Sequence, residues 1–269
     1  MNDALAVLAT LLLPASLWAA PADDSVKVFP VDEVDSVSID TSRGDISVTG
    51  TSRLTLRAEL TKAEAVWDCK IVMKPSKDGK TILLSAKNLN RSQKDGCLAG
   101  FRVELPGRLS ARAVSGTGDI ESANVDGDFS AETGTGDIRL KNLTGAVHAK
   151  SGAGAVSGEL SAASGAEFQT GVGSVKLRGL AGPVSVKTGT GEVSLAYASA
   201  PTAVSTTTIS SGVGGAYVYL PEGAKVRTIF KSGSGHLTDE VGSTPDAAFV
   251  LEMRSGSGSL KVSKMRGQQ

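Results

Sequence analysis

The chain has 269 residues, enough for one large or two modest domains around a real apolar core. Its 28 Lys and Arg balance 28 Asp and Glu, which removes the basic excess that binding to nucleic acid or an anionic membrane requires. Aromatic residues make up only 4% while glycine reaches 32 residues, the composition of a β protein with many tight corners.

An apolar run from Ala4 to Ala20 opens the chain and ends in Ala20-Pro21-Ala22, a small-residue cleavage pattern ahead of two acids. Residues 1–22 therefore read as a signal peptide, and the mature protein as exported, to the periplasm or onward to the cell surface or medium. Asp3 stands where a signal would carry positive charge, so an uncleaved anchor is the competing reading. Pro14, however, interrupts a run already short for a bilayer. No later apolar segment predicts a membrane span once the signal is removed.

Residues 23–100 read as a less regular β section that caps the rest, with strands at 54–60 and 81–86 and turns or loops at 76–80 and 90–96. Cys69 and Cys97 are the two cysteines, and in an exported chain an even pair favours a disulfide. Closing that loop would constrain the unfolded chain by roughly 3–4 kcal/mol. Two buried free thiols are the alternative. A metal is disfavoured, because His148 and His236 lie far away in sequence and no tetrahedral shell forms nearby.

From residue 101 to 269 a Ser/Thr-Gly-x-Gly unit recurs: "SGTGDI" at 115, "TGTGDI" at 133, "SGAGAV" at 151, "TGVGSV" at 170 and "TGTGEV" at 188. It continues as "SGVGGAYV" at 211, "SGSGHL" at 232 and "SGSGSL" at 255. The first five copies start 18 or 19 residues apart and the later ones 21 or 23, and "TSRGDISV" at 41–48 is an earlier, degenerate copy. The corner glycines are Gly44, Gly116, Gly118, Gly134, Gly136, Gly152, Gly154, Gly171, Gly173, Gly189, Gly191, Gly233, Gly235, Gly256 and Gly258. Apolar residues are odd-numbered before a corner (Val147, Ala149) and even-numbered after it (Val156, Leu160). Period two marks a strand with one buried face, and the parity change marks a corner. With a second corner near Gly127, Gly145 and Gly182, each unit is two short strands and two turns. Such units bury their apolar faces only by stacking. The expectation is an all-β, single-stranded parallel β-helix continuous with the N-terminal section, its eight coils making a rod about 40 Å long. Apolar spacings of five and four at Ile120, Val125 and Phe129 exclude the left-handed hexapeptide variant. "FRVELPGRLSARAVSGTGDI" (101–120) and "AYVYLPEGAKVRTIFKSGSGHL" (216–237) share a longer pattern of strand, Leu-Pro, turn and strand.

The corners lack the spacing of a phosphate loop, and no helix follows them. A calcium ladder would need aligned acids, but Asp45, Asp119 and Asp137 give way to Ala155, Ser174 and Glu192. A single ion near Asp119 and Asp137 stays open beside the plainer reading that these acids cap the turn. The "RGD" at 43–45 occupies the register of the other Gly-Asp-Ile corners. There is no nucleophile elbow and no histidine triad pattern, so enzymatic activity, cofactors and resident metals are not expected. Tyr217 and Tyr219 share one face of a strand and form either a small contact stripe or ordinary strand surface.

The motifs "VSIDTSRGDISVTG" and "VELPGRLSARAVSGTGDI", with the serial glycine corners, resemble the bacterial putative-adhesin domain family, related to head domains of putative autotransporter adhesins. The resemblance covers residues 26–263 and implies a right-handed β-helix with no catalytic residues. The functional expectation is an envelope binding or adhesion-like module acting through the flank of a solenoid. A periplasmic structural or stress-response protein that binds another envelope protein is the alternative. The ligand or envelope partner is not named by the sequence, and self-association through an open end is compatible with it.

Overall fold

The computed structural model describes residues 25–64, 69–89, 97–160 and 165–265; the segment read as a signal peptide and the turn or loop expected at 90–96 lie outside them. Every regular element among the described residues is a strand, and the strands form two large, mostly parallel sheets. The N-terminal part supplies β1 (Val26–Pro30), β2 (Ser36–Arg43), β3 (Ile46–Thr51), β4 (Thr55–Glu64), β5 (Cys69–Pro75), β6 (Thr81–Asn88) and β7 (Leu98–Pro106). The middle supplies β8 (Ser110–Thr117), β9 (Ile120–Ala123), β10 (Phe129–Thr135), β11 (Ile138–Leu143) and β12 (Val147–Ala153). It continues with β13 (Val156–Leu160), β14 (Ala166–Val172), β15 (Val175–Leu180), β16 (Val184–Thr190) and β17 (Val193–Tyr197). The last part holds β18 (Ser205–Val213), β19 (Ala216–Leu220), β20 (Val226–Ser234), β21 (Leu237–Asp239), β22 (Phe249–Ser257) and β23 (Leu260–Lys264).

From β8 onward the odd-numbered strands join the first, 12-stranded sheet and the even-numbered strands the second, 11-stranded one. Each circuit of the chain therefore adds one strand to each sheet. Register is kept: Phe129 pairs with Val147, which pairs with Ala166, and on the other sheet Ile120 pairs with Ile138, which pairs with Val156. The parity pattern has its physical origin here. Phe129, Ala131 and Thr133 point inward on β10, and Ile138 and Leu140 point inward on β11 after the corner. Inward side chains of both sheets fuse into one apolar core running the length of the stack.

Stacking follows chain order from β8 to β19 and departs from it at both ends. In the second sheet β2 lies between β6 and β8, and in the first sheet β3 lies between β7 and β9. The level formed by β2 and β3 is thus intercalated between two later ones. At the opposite end β22 and β23 are intercalated in the same way, with β18 and β19 on one side and β20 and β21 on the other. Each intercalation requires one connection that skips a level. These connections are β7 to β8 through Leu105-Pro106-Gly107 and β19 to β20 through Leu220-Pro221; in the first sheet the short link from β3 to the antiparallel cover strand β4 also passes over β7. The duplicated Leu-Pro pattern of the sequence is the pair of level-skipping turns. Pro suits them because its fixed φ and missing N–H end a strand. Gly107 ties the first skip to the level it passes, donating to the Thr51 carbonyl.

Candidate functional site: corners and outer faces

The glycine corners are built for backbone contact between levels. Gly118, Gly136, Gly154, Gly173 and Gly191 have φ between 146° and 153°, in the region L side chains avoid. A Cβ at Gly154 would sit 2.1 Å from the Gly136 carbonyl oxygen of the level before it. The preceding Ser or Thr is buried and donates to that same carbonyl column: Ser115 to Gly44 (2.9 Å), Thr133 to Gly118 (2.9 Å), Ser151 to Gly136 (2.9 Å) and Thr170 to Gly154 (3.0 Å). Thr188 donates to Gly173 at 3.4 Å and Ser232 to Gly258 at 3.1 Å, but two later positions break the ladder. The hydroxyls of Ser211 and Ser255 are buried without a hydrogen-bond partner.

The structure brings the corner acids together, one level apart. Asp45 Oδ1 accepts from the Asp119 amide (3.0 Å), Asp119 Oδ1 from the Asp137 amide (2.8 Å) and Asp137 Oδ1 from the Ala155 amide (2.9 Å). These acids bridge successive levels rather than capping their own turn. The second oxygens of Asp119 and Asp137 are taken by Arg139, at 2.7 and 2.8 Å. This guanidinium, aided by the Asp137 amide, holds the Asp119 carboxyl below the usual carboxylate range. Arg139 is thus the charge partner that the two corner acids share. No group of three His, Cys, Asp or Glu side chains among the described residues is arranged to hold a metal. The Asp45 of "RGD" belongs to the same ladder.

One column that the sequence reading missed completes the opposite corner. Asn124 and Asn142 adopt left-handed backbone, φ 57° and 53°, and Asn142 Nδ2 donates to Asn124 Oδ1 at 3.1 Å. Asparagine is among the few residues that enter this region readily. The eighteen-residue interval between them was the available signal.

Cys69 at the start of β5 and Cys97 just before β7 form a disulfide with Cα atoms 4.8 Å apart, tying the edge of the second sheet to the first. His148 faces Glu167 at 3.5 Å, and His236 Nδ1 lies 3.3 Å from Ser259 Oγ, so the two histidines share no partner.

The outer faces carry the accessible concavities. On the second sheet an open trough of about 770 Å³ crosses β14, β16, β18, β22 and β20. Its floor is the first-glycine column, Gly171 to Gly233, and Lys187, Arg254 and Lys231 edge it. Lys187 pairs with Glu167 at 3.1 Å and Arg254 with Glu252 at 2.7 Å; the Lys187 contact, with His148 nearby, lowers the Glu167 carboxyl below its ordinary value. A second trough of about 780 Å³ runs along the strand starts of the same sheet from Ser36 to Thr206. On the first sheet Tyr217 and Tyr219 both point outward from β19.

No family model matches the chain, and no curated protein matches it. Solved structures do. A putative adhesin from Parabacteroides merdae is 10% identical, covering 90% of this chain and 96% of its own, with a TM-score of 0.51. Putative adhesins from Parabacteroides distasonis (11% identity, 89% and 96% coverage, TM-score 0.48) and Bacteroides fragilis (13%, 89% and 96%, TM-score 0.45) are more distant in shape. At these identities the likeness is one of fold.

Proposed function

We propose that the protein is a non-enzymatic, exported binding module of the cell envelope, acting through the flank of a right-handed β-solenoid. The observation that carries this reading is the placement of the concave surface. The troughs lie open on the outer sheet face and cross five or more strands, so contact would spread along the stack instead of converging on one pocket. A rigid repeating flank favours extended or multivalent contact. Right-handedness follows from the strong rule for parallel crossovers within a sheet. The adhesin descriptions of the fold neighbours, the disulfide and the signal-like N-terminus agree with an exported site of action.

Protease accessibility in intact and outer-membrane-permeabilised cells tests the reading. Digestion in intact cells places the flank outside and supports adhesion-like contact. Protection until permeabilisation leaves a periplasmic module, and cross-linking to an envelope protein then identifies its partner. A protein protected in both conditions and recovered with the cytosol sinks the proposal.

A further inference from the structure

The three tyrosines divide by face. Tyr197 is fully buried, 5.3 Å from the Phe249 ring, with its hydroxyl bonded to Thr207. Phe29, Phe101, Phe129, Phe168 and Phe249 are also buried, and Phe230 packs on the core. Among the described residues only Tyr217 and Tyr219 put aromatic rings on an outer sheet face, two residues apart on β19, with Tyr217 38% exposed. Their hydroxyls have no hydrogen-bond partner among the described residues.

Their neighbours are small on one side. In register on β17 stand Ser194 opposite Tyr217 and Ala196 opposite Tyr219, both facing outward. One strand further, Lys176 of β15 pairs with Ser194, and Arg178 follows on the same face. With strands about 4.8 Å apart, the cations lie about 10 Å from the tyrosines across a floor of two small side chains. Arg178 meets Glu159 only at 4.0 Å, and Lys176 makes no ion pair among the described residues. The result is a shallow trough with an aromatic wall and a cationic wall.

Each wall recognises a different part of one ligand. A tyrosine face packs against the apolar face of a pyranose ring, while its hydroxyl meets the polar rim. An exposed Lys and Arg side by side favour a carboxylate, Arg in two-pronged geometry. A phosphate polymer would use the cations and leave the tyrosines idle. A peptide adding to the sheet is blocked, because β17 is already paired on both edges. We propose that this trough binds the acidic sugar residues of an extended glycan, rings on Tyr217 and Tyr219 and carboxylates toward Lys176 and Arg178. The proposal rests on the envelope-binding reading above and names its ligand class.

The test titrates the full-length mature protein with a panel of uronate- and sialate-containing oligosaccharides, their carboxyl-reduced counterparts and polyphosphate. At least one acidic oligosaccharide is expected to bind. Tyr217→Thr with Tyr219→Thr should weaken it at least about tenfold, and Lys176→Ser with Arg178→Ser should do the same for the acidic form only. Ala196→Leu, which fills the floor, should abolish binding. All these positions face solvent, and unchanged melting temperatures verify that the variants fold. A blank panel overturns the proposal, as does binding indifferent to the tyrosines or equal competition by polyphosphate. If the panel is blank while the protein is still digested on intact cells or cross-linked to an envelope protein, the glycan proposal falls alone. If tyrosine-dependent sugar binding is found in a protein confined to the cytosol, the envelope reading falls instead.

Discussion

At the N-terminal end of the stack, the antiparallel strands β1 and β4 cover one sheet edge, antiparallel β5 covers the other, and Cys69–Cys97 joins the two sides. At the C-terminal end the cover is β20, the three-residue β21 and a loop touching Val226 through Ser243. There Leu237 stays 41% exposed, although Leu260 and Ala216, in register with it on the inner levels, are buried. An open solenoid end must hide its core and its strand edges. One end does so with reversed strands and a covalent link, the other with a thin lid, so the two ends should differ in local stability while sharing one core.

The largest expected effect removes the frame that both ends share. Gly154→Ala drives a Cβ into the Gly136 carbonyl at an avoided φ, and the loss should be on the order of 4 kcal/mol, read by chemical denaturation. Gly79→Ala, with φ 74° but nothing within 4 Å, should cost only about 1–2 kcal/mol. Next, Cys69→Ser with Cys97→Ser should remove about 3–4 kcal/mol and bring the protection of the N-terminal end down toward that of the other. Hydrogen exchange at β1, β4 and β5 against β20 and β21 would show whether the contrast between the ends closes.

At the C-terminal end itself, Leu260→Ala should cost about 2–5 kcal/mol and Leu237→Ala under about 1 kcal/mol. Equal losses would mean that the lid seals as tightly as an inner level. A smaller difference separates the regular middle from the later levels. Ser151→Ala leaves the Gly136 carbonyl without its donor and should cost about 1–2 kcal/mol, whereas Ser211→Ala removes a hydroxyl that bonds to nothing and should be near neutral.

The smallest effect is with pH. Asp119 has a lowered folded-state pKa, so its contribution is fully present above the unfolded carboxylate range and is lost as pH falls through the folded value. Thermal melts from pH 6 downward should show an acid slope that Arg139→Gln flattens. An unchanged slope would remove the Asp–Arg ladder from the account.

Much of this was legible in the residues. Thr133 inward before a corner and Ile138 inward after it follow from parity alone, and the pairing of Cys69 with Cys97 follows from compartment and count. Intercalation was not legible, because local pattern fixes the shape of a circuit and says nothing about its level. "VSIDTSRGDISV" and "FVLEMRSGSGSL" read like any other circuit, yet the first lies behind β6 and β7 and their antiparallel covers, and the second lies one level in from its end. Only the two Leu-Pro turns marked the skips, and they read equally well as a duplication. Lys176, Arg178, Ser194 and Ala196 escaped notice for a related reason. They matter through lateral neighbours on other strands, which a single strand's alternation does not reveal.

The intercalated level at the C-terminal end has a consequence for the order of folding. β20 and β21 precede β22 and β23 in the chain, yet the earlier pair reaches its final neighbours only across the later one. Without β22 and β23, β18 and β19 present a bare platform and β20 and β21 have no final place to dock. A chain truncated after residue 248 therefore carries two exposed edges rather than a shorter rod.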